Sequence, residues 1–197
     1  FELAQAIVDP SNPLTARVIA NRIWMNYFGQ GLVLTPSDFG LRAARPSHPE
    51  LLDWLATQLI EQGWSLKQLH RAILLSSTFQ QASFGPSVLG LTQSAARSEA
   101  LRVDPQNRLL WHYRPRRLTF EEFRDSLLMV SQQLEPTLGG KPFQLFSQPS
   151  TKRRTLYALV DRQFLPGSLR MFDFANPDLH VPKRNETTVP QQALFLM

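Results

Sequence analysis

Charged side chains crowd the second half of this chain in a pattern suited to holding an anion. Asp104, Arg108, Arg116, Arg117, Glu121, Glu122, Arg124 and Asp125 fall in one stretch, and Arg153, Arg154, Asp161, Arg162 and Arg184 follow. A guanidinium is a planar fork of donors that matches a carboxylate, sulfate or phosphate bidentately. Gathered in one cleft, Arg116, Arg117, Arg124, Arg153, Arg154 and Arg184 would bind such a group. His180 would stand beside them on the polar, aromatic segment from Asp173 to Arg184. The blander reading of the same residues is a structural salt-bridge network, which perturbs charges without doing chemistry. Arg17 and Arg22 on an early helix pose the same choice between ion pairing and anion binding.

Catalytic readings have less to stand on. Asp38, Glu121 or Asp173 with His180 could act on polysaccharide only if two carboxyls lay about 5–10 Å apart in a cleft. Asp38-Phe39-Gly40 spells a kinase triplet, but the Gly-rich loop, strand lysine and catalytic loop which that chemistry needs are missing. Gly139-Gly140-Lys141 lacks the spacer and hydroxyl of a phosphate-binding loop, and there is no G-x-S-x-G elbow. His48, His70, His112 and His180 include no pair at three- or four-residue spacing, so no single helix carries a metal site. The sequon at Asn185 would matter only in a eukaryotic secretory setting.

The absence of cysteine excludes disulfides, thiolate metal sites and covalent haem attachment, so no cofactor is expected in this piece. No apolar run approaches the roughly 20 residues of a membrane span. Phe1 opens without a signal-peptide pattern, and the chain closes inside a helical pattern at Ala193–Met197. It therefore reads as a fragment of a longer protein, with any targeting signal outside it. A net charge of +5 permits an anionic partner. Nucleic acid is disfavoured, because no helix carries a basic face with base-reading residues.

The elements that must position these groups are mainly helical. Asn12 and Pro13 are a start signal for a helix from Leu14 to Phe28, apolar around most of its circumference and ended by Gly29 and Gly31. The residues before it, Phe1–Val8, read as a helix packing against it. Thr35–Asp38 reads as a short helical turn. Capping boxes are expected at Ser47/Glu50, Ser65/Gln68, Thr119/Glu122 and Thr188/Gln191. The second and third helices present Leu51, Leu52, Leu55, Leu59 and Ile60, then Leu66, Leu69, Ile73 and Leu74. Asn107–Tyr113 suggests a turn of helix. After Thr119, Phe120, Phe123, Leu127, Val130 and Leu134 form an apolar stripe for a half-exposed helix, with Arg124 and Asp125 on its polar side facing Arg114–Arg117. Residues 81–103 are Ser-, Gly- and Ala-rich and read as a flexible segment with a short helix at about 92–100. Arg153–Val160 is the strand candidate, with a partner around Phe143–Phe146 or outside the fragment.

Taken in order, NPLTARVIANRIWMNYFGQGLVLTPSDFG, HPELLDWLATQLIEQGWSLKQLHRAILLSSTFQQAS, DPQNRLLW, RRLTFEEFRDSLL, RRTLYALVDR and RNETTVPQQALFLM resemble the planctomycete-type domain of unknown function 1553. The resemblance spans essentially the whole chain. It implies the C-terminal part of a large, often exported bacterial chain, commonly behind a cytochrome-c-like domain and a second uncharacterised domain. It brings no catalytic residues.

Together these observations lead to a mainly α fold: a compact multi-helix single domain with long irregular C-terminal segments and a small β element. Its parts would be a helical core at 1–80, the flexible 81–103 and a second helical and irregular half at 104–197. The function expected is a non-catalytic binding or interaction module, extracytoplasmic by the resemblance. Its partners would be the other domains of its parent chain, an anionic ligand or a glycan. The alternative is an enzyme domain acting on polysaccharide or another anionic substrate.

Overall fold

A computed structural model describes residues 1–83 and 95–197. Among these the chain forms eight α-helices and one 3-10 turn, with no strand, so the fold is mainly α. It divides into two compact units, Phe1–Arg116 and Arg117–Met197.

The first unit is built on α2 (Thr15–Phe28), which buries Ala16, Ala20, Asn21, Ile23, Trp24 and Phe28. The helix begins later than Asn12 and Pro13 imply. Asn12 instead accepts the Leu14 N–H at 3.0 Å and donates to the carbonyls of Ala6 and Ile7, closing α1 (Glu2–Val8) onto the next element. α1 lies against α2, as expected, but buries none of its residues there. Gly29 ends α2 in the left-handed region at φ 75°, where a side chain would be strained. Burial is also less complete than the apolar count suggests, since Arg22 and Asn26 face solvent.

Against α2 lies α3 (Pro49–Glu61), burying Leu52, Leu55, Ala56 and Leu59, and then α4 (Leu66–Leu74), burying Leu69 and Ile73. Leu66 and Leu74, read as core, are exposed. Ser65 caps α4 by accepting the Gln68 N–H. No side chain caps α3: His48 holds that position, and Ser47 turns to the His48 ring. Thr35–Asp38 is a hydrogen-bonded turn, not a helix.

A short helix, α5 (Ala95–Val103), lies a few residues beyond the one expected at about 92–100; residues 84–94, within the segment read as flexible, lie outside the described residues. Asn107–Tyr113 is irregular, with Asn107 and Leu110 at positive φ, because local hydrogen bonds outcompete a helical ladder here. The Asp104 carboxylate takes the N–H groups of Arg108 and Leu109, and the Asn107 amide takes both backbone groups of His112.

In the second unit the chain wraps α6 (Phe120–Val130), whose N-terminus carries the complete Thr119/Glu122 capping box. Phe120, Leu145, Leu165 and Leu169 form its core, with Leu169 on the short α7 (Gly167–Met171). Phe195 of α8 (Pro190–Leu196) meets Phe120 and Phe172 edge-on, at centroid distances of 5.9 and 5.3 Å. The Thr188/Gln191 box is not formed. The residue engaged is Gln192, one position on, whose Oε1 accepts the Val189 N–H.

The strand candidate is corrected as well. Arg153 and Ala158 make isolated parallel bridges with Glu135 and Phe143, and the 3-10 turn Thr155–Tyr157 between them prevents a continuous ladder. Phe143 was the right neighbour, but no strand runs through either segment.

Candidate functional site

A groove of about 810 Å³ runs along one side of α6 in the second unit. Its walls are mostly apolar: Leu145 and Leu169 come from the core, and Met129, Leu134, Ala158 and Phe174 are among the other lining residues. Volume and lining fall within the range of ordinary ligand sites. Glu121, Glu122, Asp125, Arg154 and Arg184 supply the charge.

Each carboxylate there already has partners. Glu121 receives Arg184 Nη1 at 2.9 and 3.0 Å on its two oxygens, while the Arg184 guanidinium lies 4.5 Å over the Phe174 ring. Glu122 accepts the Thr119 N–H at 2.9 Å as half of the capping box. Asp125 accepts the Thr155 N–H and hydroxyl at 2.8 and 2.6 Å, and sits 3.6 Å from Arg154 Nε. A carboxylate pinned in this way fixes the wall beneath it.

Of the arginines singled out in the sequence, the structure brings only Arg154 and Arg184 to this groove. The others mainly hold backbone. Arg124 donates to the carbonyls of Thr151 and Arg153 and to the Thr155 hydroxyl. Burial pulls its guanidinium below the usual arginine value, opposed by the charge of Asp125. Arg153 clamps the Gly139 and Lys141 carbonyls across the Gly139-Gly140 turn and stacks 4.8 Å over Tyr157. Arg117 binds the Thr187 carbonyl and the Gln192 amide oxygen, tying down the start of α8. Arg116 closes the first unit and is exposed, as is His180, and neither lines the groove.

The acids considered for catalysis are similarly engaged. Asp38 accepts the Gly40 N–H at 2.8 Å within the first unit. In the second, Asp173 accepts both the N–H and the hydroxyl of Thr187, from a positive φ of 58°. No group of three or more metal-ligating side chains occurs among the described residues, and no helix is long and apolar enough to cross a membrane.

Thr155 and Gln192 were missed in the sequence, although they are 5% and 2% exposed and central to the second unit. Gln192 receives Arg117 and donates to the Met171 carbonyl at 2.7 Å, joining α8 to α7. Thr155 looks like one more β-branched residue of a strand; only its partners on α6 reveal its role.

The family model described as PSD1, protein of unknown function (DUF1553), matches residues 1–197, and the chain belongs to that family. No curated protein and no solved structure matches it.

Proposed function

We propose that this member of a family without an assigned activity is a non-catalytic interaction module, and that its second unit receives apolar side chains of another polypeptide in the α6 groove. One observation carries the reading: the groove combines an apolar lining with charged groups committed to structural partners. That is the composition of an interface, where apolar anchors enter a desolvated centre and fixed charges at the edge set orientation. Exposed Leu118, Met129, Leu156 and Val160 continue the apolar surface along the walls, extending it beyond what a compact ligand would cover. The partner on this reading is another domain of the same parent chain. An extracytoplasmic setting belongs to the same proposal and rests on the family resemblance.

Calorimetric titration of the chain with the remaining domains of its parent, expressed separately, tests this. Leu156→Glu and Met129→Glu place charges on exposed positions of the groove wall and should weaken binding at least about tenfold without unfolding the unit. Binding that both variants leave intact would place the contact elsewhere. Absence of binding in the unsubstituted chain would remove the proposal.

A further inference from the structure

A second cavity, wholly within the first unit, has the opposite character. It holds about 360 Å³ between the start of α2, the start of α3 and the loop from Phe39 to Pro46. Leu14, Val33, Phe39 and Leu52 give it an apolar wall, and Arg17, Arg45 and Asp53 give it charge. Arg17 spends Nε on Asp53 at 2.5 Å and Nη1 on the Pro13 carbonyl at 2.7 Å, so two bonds fix its guanidinium while Nη2 has no partner among the described residues. Arg45 has no hydrogen bond or ion pair there at all. Of the charged lining residues two carry guanidiniums and one a carboxylate, an excess of one positive charge.

The loop that carries Arg45 is anchored on either side of it. Asp38 N–H bonds the Thr35 carbonyl, the Thr35 hydroxyl bonds the Asp38 carbonyl, and the Asp38 carboxylate takes the Gly40 N–H. Ala43 N–H then bonds the Gly40 carbonyl, and Ser47 N–H returns to the Leu32 carbonyl at 2.8 Å. An apolar wall, one guanidinium fixed beside it and a loop held on both sides of Arg45 are in place before any ligand arrives, which lowers the entropic cost of binding.

We propose that this cavity binds a small monoanion with an apolar body, a carboxylate whose headgroup lies between Arg17 and Arg45 and whose hydrocarbon part packs on Val33, Phe39 and Leu52. The headgroup gains charge-assisted hydrogen bonds from donors otherwise left to water, and one negative charge neutralises the site. The hydrocarbon part is what a bare inorganic anion lacks. This proposal is independent of the α6 groove, which lies in the other unit.

The test is NMR titration of the labelled chain with hexanoate, with hexanol and with inorganic phosphate, each up to about 20 mM, where a millimolar site would be well occupied. Hexanoate should shift the signals of Val33, Phe39 and Leu52 saturably, and hexanol and phosphate should do so at least about tenfold more weakly. Arg45→Gln, a change at an exposed residue without structural bonds, should weaken hexanoate about tenfold, and Arg45→Lys should restore part of it. Equal binding of hexanol, or insensitivity to Arg45→Gln, would overturn the anionic headgroup. Hexanoate shifts confined to groove residues such as Met129 and Val160, or no shifts, would overturn the site.

Discussion

At the scale of single residues, the side chains that matter most are polar ones holding backbone. Asn21 shows why. It lies one turn beyond Arg17 on α2 and is fully buried, although it is polar. Its amide accepts the Val33 N–H at 2.9 Å and donates to the Val33 carbonyl at 3.0 Å, serving both backbone groups of one loop residue. Gly31 is required by the same arrangement, because a Cβ there would stand 2.5 Å from the Val33 oxygen and 2.7 Å from the Asn21 amide. A helical projection assigns a residue to a face but not what meets that face. The same limit hid the candidate site, whose arginines were legible as a set but not as clamps on the carbonyls of Gly139, Thr151 and Thr187. Asn21→Ala would leave two buried backbone groups without partners. It should cost about 2–4 kcal/mol in urea unfolding, whereas a loss below about 0.5 kcal/mol would mean that the loop re-forms its bonds elsewhere.

At the scale of elements, start signals were legible where side chain and backbone agree and misleading where a second option lay one residue away. Thr119 and Glu122 form their box because nothing nearby competes. Ser47 lost its role to His48 and Pro49, since Pro49 at the first helical position suffices without a cap. On α6 the apolar stripe was read correctly as a pattern but not as burial. Phe120 is 4% exposed, whereas Leu127 and Val130 are 55% and 85% exposed, because Arg124 and Asp125 turn towards Thr155 instead. The strand at Arg153–Val160 failed for a related reason: β propensity describes a half-buried surface, and here that surface is offered by a helix and a loop. Two threonines expected to cap helices then separate by consequence. Thr119→Ala removes a side-chain cap and should cost about 1 kcal/mol, whereas Thr188→Ala loses only a 3.4 Å contact with Arg117 and should stay within about 0.5 kcal/mol. Paired denaturant curves showing equal losses would contradict the assignment of caps.

At the scale of the whole molecule, the helical class followed from composition and period, but the division at Arg116–Arg117 has no marker, falling inside the run Arg114-Pro115-Arg116-Arg117. Each unit draws its core from its own residues, Trp24 and Phe28 with aliphatic groups in the first and Phe120 with three leucines in the second. All four tryptophans, Trp24, Trp54, Trp64 and Trp111, belong to the first unit, so indole emission reports that unit alone. Leu59, with no exposed surface at the centre of the first core, should cost about 2–5 kcal/mol when cut to alanine, read as a lower midpoint in tryptophan emission. Phe120, 5.2 Å from Phe172 and 5.9 Å from Phe195, should cost about 3–5 kcal/mol on the same change. That loss should be read from the aromatic NMR signals of Phe172 and Phe195, which owe their dispersion to each other's rings. If Leu59→Ala left the emission midpoint in place, or Phe120→Ala left those ring signals dispersed to the same denaturant concentration, the two cores would not be centred on these residues. A shift in each probe under its own substitution would establish both cores as real packing units and give the groove and the first-unit cavity separate scaffolds to be tested on.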